Sequence, residues 1–339
     1  MKVYNLHAVN DLRYEDVKMP ECPSGWAIVQ VKAAGICSSD IPRVFTKGTY
    51  HFPTIPGHEF SGIVYSVADE QNTHLIGKQV GVFPLIPCRS CKSCEEKHYE
   101  MCMNYDYVGS RRDGAFAEYV AVPVWNLIVL PDSITFPVAA MLEPFAVALH
   151  AIKLGRIKKG MSVGIIGTGM IGIAAGQWAK SLGAARVTVV GRSEEKRVIV
   201  ENCGLEYSVC NDPNVINEYD FVLEAVGTPN AIELAICATR RGGSLVLMGN
   251  PSGDIKINQS VYWKILRKQI KISGTWNSAY DGINPSDWTE VVSSLANNEI
   301  EAASLITHTY PQESLQEGLY LMKDHHEPYC KVMTIWNEK

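Results

Sequence analysis

The stretch at residues 162–192 constrains the fold of this chain more than any other. Residues 162–166 are apolar and partly β-branched, which is typical of a strand buried on both faces. The glycine pattern G-x-G-x-x-G follows directly, and an apolar segment at 171–182 predicts a helix after it. A second apolar run at 187–190 predicts another buried strand. Together these elements predict one βαβ unit with the glycines at its first turn.

The glycines of this unit predict a binding site for a dinucleotide. Gly167 would make the tight turn, Gly169 would let a pyrophosphate approach the backbone, and Gly172 would let helix and strand pack closely. Met170 and Ile171 would present the free N–H groups of the helix N-terminus to the phosphates. The alternative is an ordinary glycine turn, and the strands and helix in register around the turn favour the nucleotide.

Composition and charge exclude several classes of protein. The chain has 339 residues, enough for about two domains, and its formal charge of −5 offers no basic field for nucleic acid. The first seven residues lack the apolar core of a signal peptide, and we expect no apolar run long enough to span a membrane. A cytoplasmic location is therefore expected, and the ten cysteines should be thiols and metal ligands and not disulfides.

Cys37, His58 and Glu59 are candidate ligands of a metal ion. They lie in adjoining loops upstream of the nucleotide unit. A lone cysteine or histidine usually belongs to the core or the surface, but thiolate, imidazole and carboxylate together are ligands that zinc accepts. Three protein ligands would leave one position open for a substrate, so the pattern favours a catalytic zinc.

A second cysteine cluster predicts a closed metal site. Its spacing is C-x2-C-x2-C-x7-C, and four thiolates can complete a tetrahedron around zinc. An iron–sulfur cluster and a group of free thiols are the alternatives. The segment is polar and has little to bury, so a metal would serve as its core. We predict a structural zinc held by Cys88, Cys91, Cys94 and Cys102.

Five separate patterns in this order resemble the zinc-dependent medium-chain alcohol and polyol dehydrogenases. They are residues 37–40, residues 57–59, the four-cysteine lobe, Glu143 with Pro144, and the late glycine turn. More particular segments resemble a bacterial subgroup that acts on galactitol 1-phosphate. Those segments are residues 39–45, 109–119 and 274–277.

The resemblance implies an α/β fold with a Rossmann nucleotide-binding domain inserted in a β-rich, GroES-like catalytic domain. The catalytic domain would take residues 1–143 and 287–339, including a zinc lobe at 88–102, and the Rossmann domain residues 144–286. Ser314 and Glu317 have the spacing of a helix capping box. Further strands are expected at residues 26–32, 221–224, 244–248 and 332–335, and further helices at 231–238, around 288–295 and from 315 onward.

The family chemistry implies two zinc ions per chain and a nicotinamide cofactor. Bound to the catalytic zinc, an alcohol loses its proton more easily, and its carbon then gives a hydride to the nicotinamide. By resemblance Cys37, His58 and Glu143 are ligands, and Glu59 is a further or exchanging ligand with a catalytic role. Ser39 matches the hydroxyl that accepts the substrate proton. Many relatives pass that proton to a histidine three residues later, where this chain has Pro42.

The choice of cofactor rests on the residues after the second strand of the unit. NAD-specific relatives have an acidic residue there, which binds the ribose hydroxyls. This chain has Gly191, which would leave room, and Arg192, whose guanidinium suits a 2′-phosphate. Arg197 is a further candidate for the cofactor site. The alternative is that Arg192 is a solvated surface residue and that Glu194 or Glu195 replaces the acid; the pattern favours NADP over NAD.

The candidate substrate residues follow from the subgroup resemblance. A small-molecule polyol or polyol phosphate is the expected substrate, and arginines would bind its phosphate. Pairing with acids of the same domain is the alternative role for two of them, Arg111 and Arg112. The candidates are Arg43, Arg111, Arg112, Trp276 and Asn277.

Three functions remain open from the sequence. The first is a zinc- and nicotinamide-dependent dehydrogenase of a polyol or polyol phosphate, forming a ketose or ketose phosphate. The second is an L-threonine or simple secondary-alcohol dehydrogenase. The third is a nucleotide-binding protein without catalysis on the same scaffold. Family habit implies a homodimer, with a tetramer as the alternative.

Overall fold

The computed structural model describes residues 1–282 and 285–337. Its strands are β1 (Lys2–Ala8), β2 (Asp11–Asp16), β3 (Trp26–Ile36), β4 (Glu59–Val67), β5 (Gln79–Val82), β6 (Leu85–Ile86), β7 (Asp106–Tyr107), β8 (Tyr119–Pro123), β9 (Leu127–Val129), β10 (Ser162–Ile166), β11 (Arg186–Gly191), β12 (Glu206–Val209), β13 (Tyr219–Glu224), β14 (Thr239–Leu247), β15 (Lys271–Gly274), β16 (Ile306–Pro311) and β17 (Lys331–Ile335). Its helices are α1 (Asp40–Pro42), α2 (Lys92–Glu95), α3 (Phe136–Ala139), α4 (Leu142–Leu154), α5 (Met170–Ser181), α6 (Arg197–Asn202), α7 (Pro229–Ala238), α8 (Gln259–Lys268), α9 (Asp287–Ala296) and α10 (Leu315–Asp324).

The chain forms two compact units. The first comprises Met1–Glu143, Ala279–Asn298 and Ala302–Lys339, and the second Pro144–Ser278 and Glu299–Glu301. The domain boundaries predicted from the sequence lie after residues 143 and 286. The predicted ranges 144–286 and 287–339 also contain four residues that lie outside the described part of the chain. These are Ile283, Asn284, Glu338 and Lys339.

The first unit is built on a β-sheet in the order β16-β17-β3-β4-β5-β9, with β8 paired to β3. The long strand β3 lies between β17 and β4, and both pairs are antiparallel. Apolar side chains of β3 and its neighbours alternate into one core, where Val29, Phe60 and Trp336 are almost completely buried. Cys37 and His58 lie at the strand ends beside this pairing.

The second unit contains a six-stranded parallel sheet in the order β12-β11-β10-β13-β14-β15. This is the order of a dinucleotide-binding Rossmann sheet, with β10 as its first strand. Val163, Ile165 and Ile166 of β10 are buried, as expected for a strand covered on both faces. The predicted fold class, a Rossmann domain combined with a β-rich domain, is confirmed.

The predicted elements are present, but the helix start at Ser314 differs from the prediction. Helix α10 begins at Leu315 and buries Leu319 and Met322, as the apolar spacing predicted. The hydroxyl of Ser314 caps no backbone N–H; it donates to the carboxylate of Glu317 at 2.7 Å. The capping-box prediction was therefore wrong, because the two side chains bind each other and not the backbone.

The expectation that no apolar run is long enough to span a membrane needs one qualification, which concerns length and composition alone. The segment Phe136–Leu154 has 19 residues and a mean hydropathy of 1.3. However, 67% of it is buried inside the fold. Apolar core helices have the same length and composition, so the segment alone is weak support for a membrane span.

Candidate active site and metal centres

Cys37 lies directly after strand β3, in a turn fixed by a buried aspartate. Asp40 is completely buried, and its Oδ2 accepts a hydrogen bond from the backbone N–H of Cys37 at 3.0 Å. The hydroxyl of Ser39 lies 3.2 Å from the Cys37 sulfur. The start of helix α1 thus brings the candidate ligand and the candidate proton acceptor together.

His58 precedes strand β4 and is held in a buried charged network. Its Nδ1 lies 3.5 Å from Asp40 Oδ1, and Nη1 of Arg43 lies 3.0 Å from the same oxygen. Burial alone would raise the pKa of Asp40, but the charges of His58 and Arg43 hold it below its usual range. Asp40 and the Cys37 thiol likewise raise the pKa of His58 well above its ordinary value, against the effect of burial.

Glu59 is the first residue of β4 and forms a buried ion pair with Lys331 of β17. Both side chains are almost completely inaccessible to solvent. The two strands are separated by β3, and the pair crosses it at Gly35, which is opposite Glu59 in the sheet. A Cβ atom at Gly35 would lie 2.6 Å from Glu59 Oε2 and 3.4 Å from Lys331 Cδ. Only glycine leaves space for this pair.

Three of the four predicted catalytic ligands form one compact group. The ligand atoms of Cys37, His58 and Glu59 all lie within 4.8 Å of one another. Glu143 is also buried, but its Oε1 accepts a hydrogen bond from the hydroxyl of Tyr107 at 3.2 Å. Burial raises the pKa of Glu143 to about 7. Sulfur, imidazole nitrogen and carboxylate oxygen in a buried group are a donor set that fits zinc.

The four cysteines of the lobe form a second group with the dimensions of a zinc site. Sulfur–sulfur distances are 3.6 Å for Cys91–Cys94 and 3.9 Å for both Cys88–Cys94 and Cys91–Cys102. A tetrahedron with Zn–S bonds of about 2.3 Å has sulfur–sulfur edges of about 3.8 Å. A hydrogen bond from Ser90 lowers the pKa of Cys88 to about 6, which favours the thiolate that binds metal.

The glycine turn of the second unit has the predicted geometry. Gly167 has φ +122°, which disfavours any residue with a Cβ atom. A Cβ at Gly169 would have no atom within 4 Å, so the backbone there is open to a ligand. A Cβ at Gly172 would lie 2.0 Å from the Gly167 carbonyl oxygen, so close packing requires glycine. Helix α5 then starts at Met170, with its N-terminus at the turn.

The end of β11 differs from the prediction in one respect. Gly191 does not leave room for a larger residue, because a Cβ there would lie 2.2 Å from the hydroxyl oxygen of Tyr207. That hydroxyl donates to the carbonyl of Ser193 and so remains beside Gly191. The space expected for an acidic side chain is already filled by the aromatic ring.

Two arginines after β11 have different surroundings. Arg197 is paired with Glu194 and, at 3.0 Å, with Glu201, and it lies over the ring of Tyr207. Arg192 is exposed, and within the described residues no hydrogen bond or ion pair engages its guanidinium. Arg192 is therefore the cation of this segment that is available to a ligand.

The chain matches two family profiles that cover both units. Residues 23–132 match the alcohol dehydrogenase GroES-like domain, and residues 171–297 match the zinc-binding dehydrogenase domain. The chain belongs to the zinc-dependent medium-chain alcohol and polyol dehydrogenases. It is thus an oxidoreductase of the alcohol and polyol dehydrogenase class, and its family binds small-molecule substrates and nicotinamide cofactors.

Two relatives in this family have different substrates in their names. Galactitol 1-phosphate 5-dehydrogenase of Escherichia coli K12 is 33% identical over 301 residues, which cover 86% of this chain and 87% of the relative. L-threonine 3-dehydrogenase of Shewanella woodyi is 27% identical, with 91% and 92% covered. The two relatives therefore share the family, whereas the substrates in their names differ from each other.

Solved structures of dehydrogenases agree with the fold. Galactitol-1-phosphate dehydrogenase from Escherichia coli matches with a TM-score of 0.90 and 31% identity, over 99% of this chain and 100% of that one. A putative zinc-binding dehydrogenase from Sinorhizobium meliloti bound to NADP matches with a TM-score of 0.87 and 25% identity, over 98% of each chain.

The predicted substrate arginines are in different environments. Arg43 lies at the zinc-ligand group, with Nη1 2.9 Å from Ser39 Oγ. Arg111 is held between the rings of Tyr50 and Tyr105, at 4.3 and 4.4 Å from their centroids. Arg112 is exposed and pairs with Asp106 at 2.7 Å, which is the alternative role that the sequence left open.

Trp276 and Asn277 belong to the second unit. Trp276 is 53% exposed. Asn277 has a left-handed backbone with φ +53°, and its buried Nδ2 has no hydrogen-bond partner among the described residues. Their role in substrate binding stays a prediction.

Two residues of the site had no signal in the sequence. Lys331 lies 272 positions after Glu59, in an apolar strand where a lysine is expected to face solvent. Tyr107 packs against His58 with ring centroids 5.7 Å apart and donates to Glu143. The sequence shows only that a lysine begins the apolar closing strand. A charged residue in a buried strand requires a partner, but the sequence does not say which residue it is.

Proposed function

We propose that this dehydrogenase oxidises a secondary alcohol of a polyol phosphate similar to galactitol 1-phosphate, with NADP as the preferred cofactor and a catalytic and a structural zinc in each chain. The observation that carries the proposal is the Cys37–His58–Glu59 group, in which His58 and Glu59 are buried and Cys37 is partly buried, with Arg43 beside Ser39. A mixed donor set suits an open zinc site, and an arginine at its edge suits a phosphorylated substrate.

The metal ligands follow from the two groups. Cys37, His58 and Glu59 would hold the catalytic zinc, with Glu143 as a further ligand through the oxygen that Tyr107 does not occupy. The four lobe cysteines would hold the structural zinc. When bound, the catalytic zinc would acidify the substrate hydroxyl, and the nicotinamide would take up the hydride.

Ser39 would accept the proton of the substrate alcohol at its Oγ. The next group cannot be Arg43, although it lies 2.9 Å away, because a guanidinium has no acceptor and does not lose its proton in proteins. Pro42 has no side-chain donor or acceptor. The proton therefore leaves Ser39 through water or through a group other than these two.

Arg43 is the strongest candidate for the phosphate of the substrate. Its Nη1 is used by Asp40 and Ser39, while its Nε and Nη2 have no hydrogen-bond partner within the described residues. Its side chain is 23% exposed, so these donors can reach a ligand. Arg111 and Arg112 already have aromatic and acidic partners.

The preference for NADP rests on charge around Arg192. Of the two acids that would replace the missing carboxylate, Glu194 is paired with Arg197 and Glu195 is exposed. Arg192 is free for a 2′-phosphate, which carries nearly two negative charges near neutral pH. A charge-assisted hydrogen bond to phosphate therefore favours the phosphorylated cofactor.

The experiment that tests the proposal is a substrate panel followed by the absorbance of reduced nicotinamide. The panel contains galactitol 1-phosphate, galactitol, sorbitol and L-threonine, each with NADP and NAD. We expect kcat/KM to be highest for the phosphorylated polyol with NADP. Equal rates with galactitol would contradict the phosphate site, and a tenfold preference for NAD would contradict the role of Arg192.

L-threonine oxidation is the second candidate, because a relative with that name covers 91% of the chain. Activity with L-threonine above that with every polyol in the same panel would establish it. No turnover with any substrate in zinc-replete protein that binds cofactor would favour a non-catalytic nucleotide-binding protein.

The proposal also includes a homodimer in the cytoplasm, with a small molecule as the only class of ligand partner. Within the described residues no cysteine is joined in a disulfide, which is compatible with the reducing compartment proposed here. Light scattering of the purified protein measures the oligomeric state, and a monomer at micromolar concentration would contradict the dimer.

A further inference from the structure

A cavity of about 600 Å³ lies in the second unit, away from the glycine turn. Five cationic side chains line it. Two come from the start of strand β14 and three from the last turns of helix α8. They are Arg240, Arg241, Lys264, Arg267 and Lys268.

The cavity and the glycine turn are at opposite edges of the sheet. Gly167 follows the carboxyl end of β10, whereas Arg240 and Arg241 lie at the amino end of β14. All neighbouring strands of this sheet are parallel, so their carboxyl ends share one edge and their amino ends the other. The cavity is therefore not part of the dinucleotide site.

Two of the cations have a structural role at helix ends. Lys268 donates to the carbonyls of Cys237 and Thr239 at 2.8 and 2.7 Å, at the end of α7. Arg241 donates to the carbonyl of Arg267 at 2.9 Å, at the end of α8. A helix C-terminus carries a partial negative charge, so one cation at each end is well explained.

The remaining positive charge exceeds what the surroundings neutralise. Asp220 pairs with Arg240 at 2.5 Å. The pKa of Glu233 is lowered by hydrogen bonds from Asn258 and by the charge of Lys264, so this acid also acts on the group. The two acids neutralise two of the five positive charges, and the two helix C-termini together offset about one more. An excess of about two positive charges remains.

The cations also repel one another. The pKa of Lys268 is lowered by burial and then by the charges of Lys264 and Arg241. An anion in the cavity would remove this repulsion without displacing the bonds to the helix ends. Its binding would therefore be coupled to the protonation of the buried lysine.

We propose that this cavity binds a small organic molecule that carries two phosphate groups. A volume of about 600 Å³ lies within the range of about 300–1,000 Å³ of small-molecule sites and far exceeds the needs of a single ion. Guanidinium groups match phosphate oxygens in pairs. The chain has a net charge of −5, which disfavours the extended contact that nucleic acid needs. The attraction for an anion comes only from the five cations around this cavity.

Lys264 and Arg267 are the residues to change. The ammonium of Lys264 lies 3.1 Å from the sulfur of Cys237, and Arg267 lies over the ring of Trp263 at 5.1 Å. Neither side chain caps a helix, so their neutralisation should leave the fold intact. The matched control neutralises two exposed lysines of the same unit, Lys158 and Lys159.

The experiment is calorimetric titration of the full chain with inorganic pyrophosphate, with the dinucleotide site saturated by NADPH and ionic strength held constant with NaCl. We expect one saturable site in the wild type, with weaker binding of inorganic phosphate. The affinity should fall at least tenfold in Lys264→Gln/Arg267→Gln and change less than about threefold in Lys158→Gln/Lys159→Gln. The charge-conserving pair Lys264→Arg/Arg267→Lys should retain binding.

The proposal is overturned by no saturable heat in the wild type, by equal affinity in the neutralised pair, or by an equal loss in the control. Thermal melts without pyrophosphate check that the neutralised pair folds. If it does not fold, Arg267→Gln alone gives the same comparison, and an affinity equal to that of the wild type contradicts the site.

Discussion

The two candidate metal centres of this protein are assembled in different ways. The four lobe cysteines come from a single segment, residues 88–102, and two of them, Cys88 and Cys91, are only partly buried. The Cys37–His58–Glu59 group joins the ends of β3 and β4, and the cation that balances Glu59 comes from β17 near the end of the chain. One centre is local in sequence, and the other requires the completed sheet.

Because the two groups are assembled differently, we expect one to contribute to folding and the other to the reaction. The lobe has four identical donors and little apolar burial, so the metal binding proposed there would be part of its folding. The Cys37–His58–Glu59 group, called the open centre below, has mixed donors beside a packed core. Arg43 compensates the charge of the neighbouring Asp40, and Lys331 compensates that of Glu59. Loss of the first centre should affect stability, and loss of the second should affect turnover.

The largest expected effect is on turnover. His58→Ala removes a ligand of the open centre and should lower kcat/KM by at least about 10⁴-fold, because the Lewis acid is lost with it. Cofactor binding should be almost unchanged, since the glycine turn belongs to the other unit. Steady-state kinetics and fluorescence titration with the reduced cofactor measure the two effects.

The control for this variant is His74→Ala, which removes an exposed histidine of the same unit. It should retain the activity of the wild type. Residual activity of His58→Ala above a few per cent would mean that the catalytic ligands are assigned wrongly.

The second effect is on stability and metal content. Cys91→Ser should reduce zinc from two ions to one per chain and lower Tm by roughly 10 °C or more, because a closed site contributes its binding free energy to folding. At a temperature where the variant stays folded, kcat should fall much less than in His58→Ala. Elemental analysis and thermal unfolding measure both quantities.

Cys210→Ser changes an exposed thiol of the second unit and serves as the control. It should keep two zinc ions and the Tm of the wild type. One zinc per chain in the wild type, or iron in the lobe, would refute the structural zinc site.

The third effect tests the long-range part of the open centre. Lys331→Met leaves the buried carboxylate of Glu59 without its cation and should lower the free energy of unfolding by about 3 kcal/mol. Glu59→Gln/Lys331→Met should recover part of this loss, because no buried charge is then unpaired. Urea unfolding of the metal-free wild type and of these two variants measures both differences.

The matched control changes the exposed Lys78 to Met, with an expected change within about 0.5 kcal/mol. If the double variant were as unstable as Lys331→Met, the ion pair would not be the cause of the loss.

The smallest effect concerns the cofactor site, which like the lobe is local in sequence. Arg192→Gln should lower kcat/KM for NADP by roughly tenfold to a hundredfold and leave the value for NAD nearly constant, because only the 2′-phosphate loses a charged partner. Gly191→Asp is a poor alternative test, since Tyr207 fills the space that its side chain needs.

Arg197→Gln is the control within the same segment. Its guanidinium is used by Glu194 and Glu201, so the ratio of the two kcat/KM values should stay within about threefold of the wild type. A larger loss of NADP preference in this variant than in Arg192→Gln would move the phosphate site to Arg197.

The features that the sequence predicted correctly depend on residues that are close together in the chain. Gly167, Gly169 and Gly172 act through backbone angles and close contacts within six residues, and the structure has these features. The lobe cysteines meet because their spacing allows short loops to bring four sulfurs together. The alternation and helical spacing of apolar residues likewise predicted most strands and helices, since both depend on which face is buried.

Contacts between residues that are far apart in the sequence became known from the folded structure alone. Spacing contains no information on the Glu59–Lys331 pair, because it depends on β17 lying beside β3 and on Gly35 leaving the crossing open. The same holds for Tyr207, whose hydroxyl comes from the adjacent strand β12 and fills the space beside Gly191. Charges and volumes in a packed core are balanced by neighbours in space, and those neighbours exist only once the sheets have formed.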